Sequence, residues 1–347
     1  MRFPKKVQGT LLFICLLTIQ SFAQPGVNPN LKLAIQPQLP QKYLLREGNA
    51  PAAVKTQLLT QRSMISQQKL LFNVGFTSVS GKNIAQITGD KDVPTAEVVR
   101  IKQFATTRVL NPASLNNIKI FLKLCIASGK TYDARNNGYV SPVKNQMCGN
   151  CWAYGAVGVY EASYKRINGG SFINASEQHA ENCVDGDCTG GNAYKVFEWM
   201  VNNNKNLNTE VASPDAGVNQ ACPGGTPATN YYATDWGIVD PSGDINKIAS
   251  VADIKAALCK YGPISVSLWV TTLFQNYTNG VFNETPSNYA APTTNHAVII
   301  VGWDDDKGAW LIKNSWGTDW GEDGYMWIKY GTNNVGKKAC WVIAKKS

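Results

Sequence analysis

The chain has 347 residues, 44% of them hydrophobic, enough for one large or two modest domains with a sizeable core. Its net charge of +9 is unevenly placed: residues 1–130 hold 17 Lys+Arg against 4 Asp+Glu, and residues 131–347 hold 16 against 20. The basic excess belongs to the first third, which argues against a nucleic-acid surface on the rest.

Arg2, Lys5 and Lys6 precede an apolar run from Leu11 to Ile19, followed by Ser21-Phe22-Ala23. Residues 1–23 therefore read as a signal peptide, too short to span a membrane, with Gln24 the first residue after cleavage. No other stretch is long and apolar enough for a transmembrane helix, so the chain is expected to be exported and its cysteines open to oxidation. Residues 24–50, rich in Pro, Gln and Asn, begin as a loose arm. A helix is predicted over 52–70, with Val54, Leu58, Leu59 and Ile65 as apolar positions, and Leu71 to Thr77 alternates like a strand. The basic segment up to about residue 125 shows no chemistry of its own. Residues 24–130 are read as a pro-segment and 131–347 as the functional domain.

From Tyr132 onward the chain turns rich in Gly, Asn, Trp and Tyr. A polar turn with two cysteines, Lys144 to Cys151, runs into an apolar helical face at Ala153, Ala156, Val157, Tyr160, Tyr164 and Ile167. Asn150 is a good N-cap and Gly169-Gly170 a stop. Cys151 falls in the first helical turn, where free N–H groups and the macrodipole stabilise a thiolate. Three readings of this stretch stay open: Cys151 as a nucleophile, Cys148 and Cys151 as a redox pair, or two structural or zinc-binding cysteines.

Ser176-Glu177-Gln178 opens a short helix to Cys183, and Cys188-Thr189-Gly190-Gly191 is a tight turn that exposes backbone. Helices follow over 193–203 and 251–261, separated by a loop-rich stretch. Pro263–Val270, Ala297–Trp303, Ala309–Lys313, Tyr325–Tyr330 and Ala339–Ala344 read as strands of an antiparallel set, giving an α+β pattern. Asp304 to Asp306 are read as a solvated turn, not a cation site. Cys15 leaves with the signal peptide. With Cys151 set aside, seven cysteines remain, so at least one stays unpaired within the chain.

There are two histidines. His179 reads most simply as a surface residue on the short helix. His296 stands at the mouth of a core strand, held rigidly where a thiol nucleophile needs a base. Asn314, at the end of the next strand, can orient the imidazole, and Trp316 and Trp320 can shield that bond from water.

These features together resemble the papain-like cysteine proteases, over about residues 131–347. The resemblance is carried by Asp133-Ala134-Arg135, Pro142 to Gln146, Cys148 to Tyr154, Ser176-Glu177-Gln178, Cys188 with Gly190-Gly191, Asn295-His296-Ala297, Lys313 to Gly317 and Trp320-Gly321. It implies a fold of two lobes, one helical and one an antiparallel sheet or barrel, with a cleft between. It implies a Cys151–His296–Asn314 triad, with Gln146 and the Cys151 N–H binding the oxyanion, and an acyl-enzyme route to peptide hydrolysis. Gly190 and Gly191 would pair with an extended substrate. Ser267 and Ala297 would line the main specificity pocket, favouring an apolar residue two positions before the scissile bond, and Trp316 would lie along the substrate. Disulfides Cys148–Cys188 and Cys183–Cys222 are implied, with Cys259–Cys340 a weaker pairing.

The chain departs from the family pattern in places. Gln146 lies one residue nearer the nucleophile than usual, so Asn145 is an alternative amide, and a weak or inactive peptide-binding relative is the runner-up. No insertion of the exopeptidase kind is evident, so a secreted monomeric endopeptidase is expected, with protein or peptide substrates and no cofactor or metal. The basic pro-segment facing an acidic domain is expected to act as its inhibitor, seated by charge and loosened by acid.

Overall fold

The computed structural model describes residues 37–109, 125–284 and 293–346. The expected signal peptide and the start of the arm lie outside the described residues. No described helix is long and apolar enough to cross a membrane.

Residues 37–109 build α1 (Gln41–Glu47), α2 (Ala52–Gln67), β1 (Leu71–Val74), α3 (Ile84–Ile87) and α4 (Thr95–Val109). In α2 the predicted apolar face is buried at Val54, Leu58 and Ile65, whereas Leu59 faces solvent and Gln61 is buried in its stead. The reason is a partner: buried Asn276 donates to the Gln61 amide oxygen at 2.9 Å.

The remainder contains β2 (Thr131–Asp133), α5 (Cys151–Asn168), α6 (Glu177–Cys183), α7 (Ala193–Asn202), β3 (Ala233–Ile238), α8 (Val251–Tyr261), β4 (Ile264–Leu268), α9 (Thr272–Gln275), β5 (Tyr277–Phe282), β6 (His296–Asp304), β7 (Ala309–Lys313), β8 (Tyr325–Lys329) and β9 (Lys337–Ala344). Ser176 and Ser250 cap α6 and α8 with their side-chain oxygens, as Ser does at N-caps. Asn150 does not cap α5; its side-chain amide donates to Glu181 at 2.8 Å instead.

The strands form one mixed sheet in the order β1-β5-β8-β7-β6-β4-β9-β3, with β2 on β6. Only the β5–β8 pairing is parallel, and the path is open, not closed into a barrel. Strand β6 runs through the middle and is buried on both faces, which explains its continuous apolar run. Val298 and Ile300 join a core on the sheet side, while Ala297, Ile299 and Val301 join a core built on α5 and α7. The two lobes share this strand.

Residues 37–109 are woven into both. Strand β1 extends the sheet by pairing antiparallel with β5, Leu71 opposite Val281. On the helical side, Ile101 is fully buried and Phe104 stacks on Trp236 with centroids 4.9 Å apart. Between these anchors the chain passes through the cleft.

Three disulfides are formed: Cys148–Cys188, Cys183–Cys222 and Cys125–Cys259. The expected Cys259–Cys340 pair is not made. Cys340 is a buried free thiol on β9, facing the helical core, while Cys259 on α8 reaches Cys125.

Candidate active site

Helix α5 starts at Cys151 and buries that residue completely between the lobes. Its sulfur accepts the Ala297 N–H at 3.4 Å, and the Gly89 and Trp152 amides also turn towards it. Ala297 follows His296, so Cys151 of α5 meets the first residues of β6, with Ala297 146 positions away in the chain. Burial pushes the thiol up to about 12, against these amide bonds.

His296 is fully buried, stacked on Trp316 at 4.7 Å and edge-on to Phe274 at 6.5 Å. Its Nε2 lies 2.8 Å from Asn314 Oδ1, which also accepts the Ser315 N–H at 2.8 Å. An amide oxygen only accepts, so Nε2 carries the proton and Nδ1 is left as the basic nitrogen. Nδ1 is buried without a hydrogen-bond partner. Burial lowers this imidazole to about 4, partly offset by the Asn314 bond. Burial thus favours the neutral form of both sulfur and imidazole in this closed state.

The shortened turn before Cys151 still delivers Gln146 to the cleft. Its N–H donates to the Ser315 carbonyl at 2.8 Å and its Oε1 accepts from Ser315 Oγ at 2.6 Å. Held this way, its Nε2 donates to the carbonyls of Cys148 at 2.6 Å and Ile87 at 3.2 Å. Trp316 Nε1 donates to the same Ile87 oxygen at 3.1 Å, so two donors converge on the Ile87 carbonyl. Asn145, the alternative amide, is exposed. Lys144 anchors the turn from the other side through Glu177 at 2.9 Å and Glu161 at 3.3 Å.

Residues 87–91 fill the cleft. The Lys91 N–H donates to Gly191 O at 3.0 Å and the Gly191 N–H to Gly89 O at 2.8 Å, a parallel bridge centred on Asp90. Gly191 must be glycine, because a Cβ would come within 2.6 Å of the Trp152 ring. Gly190 keeps its own N–H and C=O for the turn with Asp187, so of the two glycines only Gly191 pairs with the segment.

Ser267 lies opposite Ala297 in the β4–β6 register and both are buried. The pocket Ser267 lines is not apolar, as the sequence had suggested. It holds the Asp90 carboxylate, bonded by Ser267 Oγ at 2.8 Å, Thr294 Oγ1 at 2.6 Å and Lys338 Nζ at 2.8 Å.

His179 is also not the surface residue expected. It is buried, edge-on to Trp199 at 5.9 Å, and its Nδ1 accepts the Asn208 N–H at 3.3 Å. Burial lowers its pKa below the ordinary histidine range. It belongs to the helical core and is not part of the cleft. The redox and zinc readings of Cys148 fail for a covalent reason: its sulfur is bonded to Cys188, not available to Cys151 or to a metal.

Sequence reasoning missed Asp90, Thr294 and Lys338. One signal was present: Asp90 is one of four acidic residues in the first 130.

A buried thiol at a helix N-terminus, beside a histidine held by an asparagine, defines the thiol-nucleophile class of hydrolase site. The family profile for papain family cysteine proteases matches residues 128–345, and the chain belongs to that family. Among curated relatives it is 35% identical to Cysteine proteinase 3 of Solanum lycopersicum over 218 residues, which is 61% of this chain and 59% of that protein. It is 34% identical to the Oryzain gamma chain of Oryza sativa subsp. japonica, over 61% of this chain and 58% of that one. The chain thus spans about three-fifths of the length of these relatives. Among solved structures it resembles the bromelain protease of Ananas comosus in complex with the E64 inhibitor, with a TM-score of 0.53 and 30% identity over 62% of this chain and 100% of that chain.

Proposed function

We propose that the chain is a cysteine endopeptidase, exported and made as a latent precursor. One observation carries the reading: the Cys151 sulfur, the His296–Asn314 pair and the Gln146 amide converge on a cleft that the chain's own residues 87–91 occupy.

In the proposed reaction, Cys151 Sγ gives its proton to His296 Nδ1 and attacks the substrate carbonyl carbon. The oxyanion is held by Gln146 Nε2 and the Cys151 N–H. The imidazolium then protonates the leaving amine, and a water activated by the same nitrogen hydrolyses the thioester. Asn314 keeps Nε2 protonated and the ring in place throughout, and Trp316 keeps water from that bond.

Latency follows from the same contacts. The resemblance implies that a substrate places the residue before the scissile bond's neighbour against Ser267 and then runs towards Gln146 and Trp316. The pro-segment runs the other way, from Ile87 at Gln146 to Asp90 at Ser267. A reversed strand fills the cleft without presenting a carbonyl in the attackable direction. While it stays, burial keeps sulfur and imidazole neutral; its departure admits water, and the thiolate–imidazolium pair becomes favourable. Residues 1–23 supply the export signal, and the three disulfides suit an oxidising compartment.

The runner-up, a peptide-binding relative without catalysis, rests on the shortened turn; the bond from Gln146 Nε2 to Ile87 O in the cleft supports the catalytic reading over it. The test is labelling by a cysteine-directed epoxide and cleavage of denatured casein, comparing the processed wild type with Cys151→Ala. Loss of both in the variant is expected. Casein cleavage that survives Cys151→Ala would overturn the assignment.

A further inference from the structure

The pocket that receives Asp90 is built for a negative charge. Lys338 and Asp90 form an ion pair at 2.8 Å whose side chains are 3% and 1% exposed. Ser267 and Thr294 donate to the two carboxylate oxygens.

Lys338 reaches this position through a deformation of β9. Between its pairings Ser267–Lys337 and Ser265–Cys340, β9 spends one residue more than β4, a bulge, and Lys338 adopts φ +53°. Bulges re-aim side chains beside functional sites, and a positive φ is rare for a lysine. The backbone is held there by the Lys338 N–H donating to Ile245 O at 3.0 Å. Its neighbour Lys337 is buried as well. Burial, reinforced by the charge of Lys338, holds the Lys337 ammonium below the ordinary lysine range.

When residues 87–91 leave, Lys338 faces an empty pocket that only a substrate side chain can fill. A residue opposite Gly191 sits where Asp90 sits now, whichever way its strand runs. We propose that Lys338 determines specificity, and that the peptidase prefers substrates with an acidic side chain two residues before the scissile bond. This replaces the apolar preference implied by the resemblance, and it rests on the peptidase reading given above. An aliphatic side chain there leaves a buried ammonium unpaired, and an arginine adds a like charge to it. Asp90 is the acidic occupant that the precursor supplies to itself.

The test uses the full-length chain after processing. Four fluorogenic peptides, alike except for Asp, Glu, Leu or Arg at that position, are compared by kcat/KM, with denatured casein digestion and epoxide labelling of Cys151 on the same samples. The acidic peptides are expected to exceed the leucine peptide by about 30-fold or more, the ratio typical of a buried charge left without its partner, with arginine last. Lys338→Leu and, as a milder change, Lys338→Met are expected to reverse the order in favour of leucine, with epoxide labelling of Cys151 reporting that each variant is folded. Leucine preferred by the wild type, with casein cut and Cys151 labelled, overturns the inference alone. An acidic preference that survives both variants overturns the role of Lys338. Absence of casein cleavage and of labelling in the wild type removes the peptidase reading, and the inference with it.

Discussion

Gly89 is the position at which latency can be broken with a single methyl group. A Cβ built there would lie 2.6 Å from the Gly149 carbonyl carbon and overlap its oxygen. Gly149 is backbone next to a disulfide and cannot yield as a flexible side chain would, so the segment must lift. Lifting it breaks three hydrogen bonds: Gly89 N–H to Asn295 O at 3.0 Å, Gly191 N–H to Gly89 O at 2.8 Å and Lys91 N–H to Gly191 O at 3.0 Å. At about 1 kcal/mol net for each, closure weakens by about 3 kcal/mol, roughly 100-fold in the population of the open cleft. The assay is the rate at which a thiol alkylator labels Cys151 in unprocessed precursor, followed by intact mass in the first minutes. Gly89→Ala is expected to label about 100-fold faster than wild type. Gly48→Ala, where a Cβ meets only Leu45 O at an ordinary 3.5 Å, is expected to label at the wild-type rate. Equal labelling of Gly89→Ala and wild type would show that residues 87–91 do not control access to the sulfur.

Two further outcomes are expected. Gln146→Ala, which removes the Nε2 donor but leaves the Cys151 N–H, is expected to lower kcat by about 100- to 1,000-fold with KM little changed; a change confined to KM would assign Gln146 to substrate binding. Asp244 is held below its ordinary value of 3.8 first by its bond to Lys102 of the pro-segment, at 2.8 Å. Because its value in the closed precursor is depressed, the stabilisation is present above pH 3.8 and fades as pH falls through the depressed value. In a Cys151→Ala background, which cannot process itself, adding Lys102→Ala is expected to lower the melting temperature slightly at pH 6 and not at pH 2, the pair being partly exposed and worth at most about 1 kcal/mol. A gap of equal size at both pH values would remove acid titration of this pair from the release of the pro-segment.

Much of the site was legible because its signals are local or categorical. A cysteine in the first turn of an apolar helix, a histidine at the head of an unbroken apolar strand and an asparagine ending the next strand each declare themselves within a few residues. Strands β6 and β7 were similarly plain, since burial on both faces leaves no polar alternation to blur them. Strand β3, Ala-Thr-Asp-Trp-Gly-Ile, was lost in a stretch read as loop: its pairing with β9 decides its state, and its own residues do not. Helix α4 was missed in the basic segment because its partners, such as Trp236 and Glu198, lie far along the chain.

The sequence by itself singled out the candidate groups, one sulfur, one imidazole and one amide, and the sign of the charge on residues 1–130 and on the rest of the chain. Tertiary structure alone decided what fills the cleft and which side chains meet Asp90 there. Asp90 and Lys338 are 248 residues apart, and the lysine reaches the carboxylate only because a bulge and a left-handed residue turn it inward. Periodicity and capping report on neighbours a few positions away; a pocket is defined by side chains that the fold alone brings to one point.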